Sequence, residues 1–181
     1  MPGILAISGS PSPTSRTARV LDHLAARLTD TGRHEVTILG VRDLPAEALI
    51  GADVHHPAIL AVGEAVAAAD GIIIATPVYK AAYSGVLKAL LDLLPQYALA
   101  GKTVLPLATG GSVAHVLAID YALRPVLTSM GAAHVVPGYF LLDTLIATAP
   151  DGSIALAETA QAGLDGVVTA FLAGLPVATP A

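Results

Sequence analysis

The stretch Gly71-Ile72-Ile73-Ile74-Ala75-Thr76 is a continuous apolar run in which hydrophobic and polar residues do not alternate. A strand covered by helices on both faces has this pattern, because neither set of its side chains meets water. Two other short runs share the pattern, Ile4–Ser8 and Thr103–Thr109. Together they predict a parallel sheet between two layers of helices.

Helical patterns separate these strands along the chain. Two further strands are expected at Glu35–Leu39 and Ala133–Leu141, and helices over Ser15–Asp30, Ala58–Ala69, Ser84–Leu94, Ser112–Met130 (interrupted at Pro125) and 154–172. This alternation predicts an α/β, flavodoxin-like three-layer sandwich with a five-stranded parallel sheet in the order 2-1-3-4-5. We expect a single domain over residues 1–174 and a flexible tail over 175–181.

The composition narrows the classes of function. The 181 residues include no cysteine, which excludes thiol chemistry, so any electron transfer needs a bound cofactor. Mean hydropathy is high at +0.71, yet prolines and glycines interrupt the long uncharged stretches, so no membrane span is expected. A net charge of −5 with scattered basic residues argues against nucleic-acid binding. We expect a cytoplasmic protein with no metal site, since adjacent His55 and His56 rarely point at one ion.

The loop after the first strand has the residue types of a phosphate site. Residues Gly9–Thr17 carry several hydroxyl groups and one guanidinium, that of Arg16, and they lead directly into a helix. Free amides and the helix dipole favour an anion at such a point, and an arginine adds charge-assisted hydrogen bonds. The alternative is an ordinary turn in which Ser15 or Thr14 caps the helix.

Two more loops reach the same edge of the predicted sheet. The loop from Ala75 to Gly85 displays Tyr79 and Lys80 and offers support for a flat heteroaromatic ring, whereas Tyr83 is expected to pack on neighbouring helices. The loop Thr109–Ser112 contains two glycines, which let a ligand approach the backbone closely. Each alone is compatible with a simple turn. The three together predict a mononucleotide site, because ligands bind outside the carboxyl ends of parallel strands.

Residues in these loops resemble a known family. The blocks 76–95 and 101–127, with Gly9-Ser10-Pro11 and Ser15-Arg16, are similar to the NADPH-dependent FMN reductases that serve two-component alkanesulfonate monooxygenases. The resemblance spans about Ile4 to Phe140. It implies an enzyme that transfers hydride from NADPH to FMN, supplies FMNH₂ to a partner monooxygenase, and forms a homotetramer or dimer.

The resemblance also assigns residues to the cofactor. It gives the 5′-phosphate to Ser10, Ser15, Arg16 and Thr17, and the two sides of the isoalloxazine to Pro77, Val78, Tyr79, Lys80, Thr109, Gly110, Gly111 and Ser112. His115 is expected either to meet the flavin or nucleotide or to be structural. Relatives often have an arginine where this chain has Ser12, so Arg16 is expected to be the only arginine at the phosphate and FMN to be held loosely. No catalytic side chain is expected, because hydride transfer needs only positioning.

Two helices are expected to form the oligomer interface. Residues 84–94 are apolar on more than one face. In the relatives, a tyrosine at the place of Tyr121 produces a π-bulge in the helix over 112–130 and is linked to release of reduced flavin. Independently, Pro125 lacks the N–H that would bond the Tyr121 carbonyl. The alternative is a plain proline kink with Tyr121 in the core.

Other functions of the same fold remain open at this point. One is a quinone or azo-dye reductase that keeps FMN bound, and another is a flavodoxin-like electron carrier or a flavin-binding scaffold without turnover. The dispersed acidic residues give little support to a carrier, which typically docks through a strongly acidic face. No 2′-phosphate site is recognisable, so the sequence does not decide between NADPH and NADH.

Overall fold

A mostly parallel sheet forms the middle layer of the protein. The computed structural model describes residues 2–176, and the strands of this sheet are β1 (Gly3–Ser8), β2 (Glu35–Gly40), β3 (Gly71–Tyr79), β4 (Ala82–Tyr83), β5 (Thr103–Gly110), β6 (His134–Val135) and β7 (Tyr139–Leu142). The order is β2-β1-β3-β5-β6, with β4 paired to β3 and β7 to β5. Since β6 and β7 are halves of the predicted fifth strand, the order 2-1-3-4-5 is confirmed.

The sheet has seven strands instead of the predicted five, for two reasons. The two-residue strand β4 adds to β3 as an antiparallel hairpin. The predicted strand Ala133–Leu141 is interrupted at Pro137, which has no N–H for the sheet. At the next residue the chain passes so close to β5 that only glycine fits, since a Cβ at Gly138 would lie 2.7 Å from the Pro106 carbonyl oxygen. Arg124 binds the backbone at this gap, donating to the carbonyls of Val135 at 2.7 Å and Val136 at 3.2 Å.

Helices cover both faces of the sheet. They are α1 (Arg16–Asp30), α2 (Ala46–Ile50), α3 (Pro57–Ala68), α4 (Gly85–Leu93), α5 (Arg124–Ser129) and α6 (Glu158–Ala173). Alternate side chains of β3 point to opposite layers: Ile72 and Ile74 pack with α2 to α5, and Ile73 packs with α1 and α6. This arrangement is the predicted three-layer sandwich.

Side chains cap the helices that flank the cleft described below. The Ser15 hydroxyl accepts from the Ala18 N–H at 3.0 Å at the start of α1. The Ser84 hydroxyl does the same for the Leu87 N–H at 3.3 Å at the start of α4. Each cap satisfies an amide that has no partner within its helix, so both predicted helix starts are confirmed.

The predicted helix over 112–130 consists of three pieces. A 3₁₀ turn at Val113–His115 is followed by a π-helix at Ile119–Leu123 and then by α5. The Arg124 N–H donates to the Ile119 carbonyl, five residues earlier, which is the π-helical pattern. Tyr121 is 78% exposed. The expected π turn is therefore confirmed, and the alternative with Tyr121 in the core is wrong.

The C-terminal part differs from the prediction. The helix expected to begin at residue 154 begins at Glu158, because residues 146–156 form an antiparallel hairpin of β8 (Ile146–Thr148) and β9 (Ile154–Leu156). Gly152, at φ +87°, provides its turn. Leu175, in the predicted tail, is buried in the core beside α6, and residues 177–181 of that tail lie outside the described residues.

The burial of α4 removes the argument that assigned it to an oligomer interface, and its part in such an interface stays a prediction. Its leucines (Leu87, Leu90, Leu91 and Leu93) are all buried within this chain. The helix lies between the sheet and α2, so its wide apolar surface is covered without a second copy.

Among residues 2–176, no helix combines the length and apolar content needed to cross a bilayer.

Candidate active site

A cleft of about 490 Å³ opens at the carboxyl edge of the sheet. Ligand pockets in proteins commonly measure about 300–1,000 Å³. The walls come from the loop after β1, the start of α1, the ends of β3 and β5, and the segment after β7. The lining residues are Ser10, Ser12, Thr14, Ser15, Arg16, Thr17, Arg19, Pro77, Val78, Tyr79, Thr109, Gly110, Gly111, Asp143 and Thr148.

Hydrogen bonds fix the first loop to its neighbours. The Gly9 N–H donates to the Ala75 carbonyl at 2.8 Å, and the Gly9 carbonyl accepts from the Ser84 hydroxyl. The Ser84 N–H in turn donates to the Thr76 hydroxyl at 2.9 Å. These hydrogen bonds hold the loop after β1 and the loop after β3 in one arrangement.

A buried contact joins α1 to the end of β5. The hydroxyls of Thr17 and Thr109 lie 2.6 Å apart, and both residues are almost fully buried. Because Thr17 is in the first turn of α1, this hydrogen bond places the amides of the helix start beside the glycines after Thr109. The phosphate-type loop and the glycine loop therefore form two walls of one cleft.

The end of β3 turns back in a tight hairpin. Lys80 and Ala81 both have positive φ, 51° and 65°, between the paired residues Tyr79 and Ala82. Two successive left-handed residues are the pattern of a type I′ turn, which usually carries Asn and Gly. Tyr79 is 49% exposed and lines the cleft.

Tyr83 follows the turn and faces away from the cleft. Its ring packs against the core that includes α4, as expected. Burial raises the pKa of its phenol, the Lys88 charge opposes that rise, and the Asp92 charge adds to it. Tyr83 is therefore a neutral packing residue behind the cleft.

The two glycines after Thr109 have different surroundings. A Cβ at Gly110 would lie 2.9 Å from Cζ of Phe140, so this position has no room for a side chain. A Cβ at Gly111 would meet only a carboxylate oxygen of Asp143, at 3.9 Å. Gly110 is thus required for packing. At Gly111 there is space for a side chain, and its absence leaves this side of the cleft open.

The charges in the cleft differ from the expectation. Arg16 was expected to be the only arginine, but Arg19, one helical turn further, also lines the cleft. A helix repeats every 3.6 residues, so these two side chains share a face. The Asp143 carboxylate lies 3.6 Å from the Arg16 guanidinium. The cleft therefore has two cations and, among its described lining residues, one carboxylate.

Ten of the thirteen predicted binding residues line the cleft. Lys80 lies at the tip of the hairpin, Ser112 caps the following 3₁₀ turn through its hydroxyl, and His115 is half-buried in that turn. These three residues are outside the lining, and the binding roles of all thirteen stay predictions.

Five lining residues were missed: Ser12, Thr14, Arg19, Asp143 and Thr148. The helical spacing from Arg16 was a signal for Arg19. The position after the fifth strand was a signal for Asp143, because that strand ends at the same edge as the others. No sequence signal pointed to Thr148, which reaches the cleft through the unexpected hairpin of β8 and β9.

The donor set fits FMN. Hydroxyls, two guanidinium groups and the start of α1 suit a phosphate dianion. The open side of the cleft at Gly111 and the exposed side chain of Tyr79 leave room for a flat ring.

Within residues 2–176, the adjacent histidines His55 and His56 do not form a metal site with a third ligand. His56 caps α3, with its Nδ1 accepting from the Ala58 N–H at 3.1 Å. Among the described residues no three potential metal ligands come together.

Comparison with known proteins shows the family of the chain. Residues 2–145 match the family model described as NADPH-dependent FMN reductase. The chain is 50% identical over 146 residues (81% of this chain, 74% of the relative) to an FMN reductase (NADPH) of Pseudomonas putida. It is 46% identical over 143 residues (79% and 74%) to the FMN reductase (NADPH) of Escherichia coli.

A solved structure has the same fold over nearly the whole chain. The apo form of the NADH:FMN oxidoreductase EMOB superposes with a TM-score of 0.88 at 42% identity, covering 99% of this chain and 92% of that one. The fold and the matched residues therefore place the chain among flavin-dependent oxidoreductases. It belongs to the NADPH-dependent FMN reductase family. The expected enzyme class, with FMN and a reduced nicotinamide nucleotide, is confirmed.

Proposed function

We propose that the protein reduces FMN with NAD(P)H and releases the reduced flavin to a partner monooxygenase, of the alkanesulfonate type by resemblance. One observation carries the proposal: phosphate-binding groups and an open glycine wall, from separate loops, line a single cleft. The family membership supplies the reaction. Relatives include both NADPH- and NADH-dependent FMN reductases, so both nucleotides are included.

The lining residues have distinct proposed roles. Ser10, Ser15, Arg16 and Thr17 hold the 5′-phosphate, and Arg19 adds a second positive charge to it. Residues 77–79 support one edge of the ring, and residues 109–111 lie along the other. Lys80, Ser112 and His115, outside this lining, are proposed to meet ligand at the rim.

The residues act by positioning. When bound, FMN supplies the group that accepts the hydride. The hydroxyls and arginines anchor one end of the flavin, and the backbone of β3 and β5 fixes the plane of the ring. The exposed side of the cleft leaves a place for the nicotinamide at reacting distance. No described side chain in the cleft is required as a nucleophile or a general base.

Release of the flavin is supported by the same site. The Asp143 carboxylate lies 3.6 Å from the Arg16 guanidinium, so it offsets part of the positive charge that a phosphate would meet. The π-helix carries the exposed Tyr121, the position that the resemblance links to flavin release. We also propose a homo-oligomer, formed through the exposed apolar segment 113–121.

The experiment that tests the function compares NADPH and NADH oxidation with and without added free FMN. We expect turnover that depends on added FMN and reduced flavin that passes through a membrane filter separating it from the protein. Arg16→Gln should raise the KM for FMN about tenfold or more, because a charge-assisted hydrogen bond contributes about 1.5–3 kcal/mol. Turnover with a quinone but not with free FMN would overturn the proposal in favour of a quinone reductase.

A further inference from the structure

Asp143 places a negative charge in a site otherwise built for an anion. It directly follows β7 and begins the 3₁₀ turn Asp143–Leu145. Its carboxylate lies 3.6 Å from the Arg16 guanidinium and would be 3.9 Å from a Cβ at Gly111. A phosphate that reaches Arg16 therefore approaches this carboxylate as well.

We propose that Asp143 sets the affinity for FMN by competing with the 5′-phosphate for Arg16. This inference rests on the proposed function, because it concerns the same flavin site. A flavin phosphate carries about −1.5 to −2 charges at neutral pH. To bind Arg16, the phosphate has to share the guanidinium with Asp143 or displace the Asp143 carboxylate from it. The negative charge of that carboxylate also repels the phosphate. Riboflavin has no phosphate and experiences neither effect.

The expected effect is modest because the pair is partly in water. The side chain of Arg16 is 53% exposed and that of Asp143 is 31% exposed. Exposed ion pairs contribute little, and dissolved salt screens them further. We expect removal of the charge to tighten FMN binding about two- to fivefold, a size suited to a flavin that exchanges at each turnover.

The test measures dissociation constants of FMN and riboflavin by flavin fluorescence in the wild-type protein and in Asp143→Asn. The Kd for FMN should fall about two- to fivefold at low salt, and the Kd for riboflavin should stay the same. The gain should shrink at about 0.5 M salt, where the Debye length is only a few ångströms. Asp143→Ser is a second neutral variant, and Asp143→Glu, which keeps the charge, should behave like wild type.

Asp165→Asn provides a matched control. Asp165 forms an ion pair with Arg27 at 2.6 Å, and both side chains are about half-exposed. Arg27 lies on α1, as Arg16 does. Arg27 is roughly 16 Å further along the helix than Arg16. The control removes the same charge from the protein without touching the cleft, and it should leave both dissociation constants unchanged.

The outcomes separate this inference from the function itself. Equal tightening of FMN and riboflavin, or tightening in Asp143→Glu, would show a change of shape and overturn the inference. An unchanged ratio of the two constants in both neutral variants would also overturn it, while leaving FMN reduction intact. Absence of flavin binding in every variant and in wild type would overturn the proposed function as well.

Discussion

Gly110 is a residue of the cleft at which an added side chain would be crowded. Its Cβ would lie 2.9 Å from Phe140 Cζ and 3.6 Å from Val78 Cβ, so Gly110→Ala displaces the Phe140 ring. Overpacking of this kind costs about 1–3 kcal/mol. We expect a melting temperature lower by about 2–10 °C and weaker FMN binding.

Gly111→Ala is the control for this prediction. The added methyl group would meet only an oxygen of Asp143, at 3.9 Å, so the melting temperature should stay within about 1 °C of wild type. Thermal unfolding followed by circular dichroism measures both variants. Equal melting temperatures for the two would contradict the packing argument.

The lining residues that could be predicted from the sequence are those that lie next to one another in a single loop. Hydroxyls and Arg16 in one βα loop, and Gly110 with Gly111 in another, can be recognised because their chemistry is local. Asp143 could not be assigned in this way. Its effect depends on the register that places Leu142 opposite Gly110, and register across a sheet is not written in any single segment.

The hairpin of β3 and β4 carries strain that one substitution can remove. Ala81 has a φ of 65°, a conformation that costs an L-residue roughly 1 kcal/mol and glycine almost nothing. Ala81→Gly should therefore stabilise the protein by about 0.5–1 kcal/mol, raising the melting temperature by about 1–4 °C.

Ala82→Gly, one residue further, tests the cause. Ala82 lies in β4 and pairs with Tyr79, so glycine there only loosens a strand and should lower stability by about 0.5–1 kcal/mol. The two variants have the same composition and should shift denaturation midpoints in opposite directions. Shifts of the same sign would count against the turn assignment.

Deletion of Tyr121 tests the π-helix. A π turn contains one residue more than an α turn, so the deletion should restore α-helical bonding before α5. We expect FMN to be held more tightly and to transfer more poorly to a monooxygenase, measured as flavin retained through gel filtration. Tyr121→Ala keeps the residue count and should retain less flavin than the deletion. Unchanged FMN affinity in the deletion variant would refute the link.

At the scale of elements, long patterns predicted well and short ones did not. The apolar runs of β1, β3 and β5 and the capped starts of α1 and α4 were all recognisable. The sequence predicts no element at β8 and includes β9 in the last helix, because three-residue strands show no usable period. The gap between β6 and β7 depends on Arg124, which reaches it from another element.

Within residues 2–176, exposed large apolar side chains are concentrated in the segment 113–121, whose other face packs into the core through Ala118 and Ile119. Val113, Val116, Leu117 and Tyr121 are 66%, 48%, 55% and 78% exposed, and they lie within nine positions of the chain. Exposed apolar groups of this density mark protein interfaces. We expect a homo-oligomer by light scattering, and Leu117→Asp should shift it towards the monomer.

Leu60→Asp is the comparison for this assembly. Leu60 is 51% exposed on α3, outside the segment 113–121. The substitution introduces the same charge at a similarly exposed leucine and should leave the molar mass unchanged. A monomeric wild-type protein, or equal dissociation in both variants, would reject the interface.

Arg124 connects the π turn to the strand that runs towards the cleft. The residue directly follows the turn, and its guanidinium holds the carbonyls of Val135 and Val136, from which the chain continues through β7 to Asp143. One residue corresponds to roughly 100° of rotation about a helix axis. The extra residue of the π turn therefore sets the rotation of the exposed face at Tyr121 relative to β7, the strand that ends at the cleft. Converting the π turn to an α turn would either rotate the face at Tyr121 or break the hydrogen bonds of Arg124 to Val135 and Val136. Subunit contacts and flavin affinity should therefore change together.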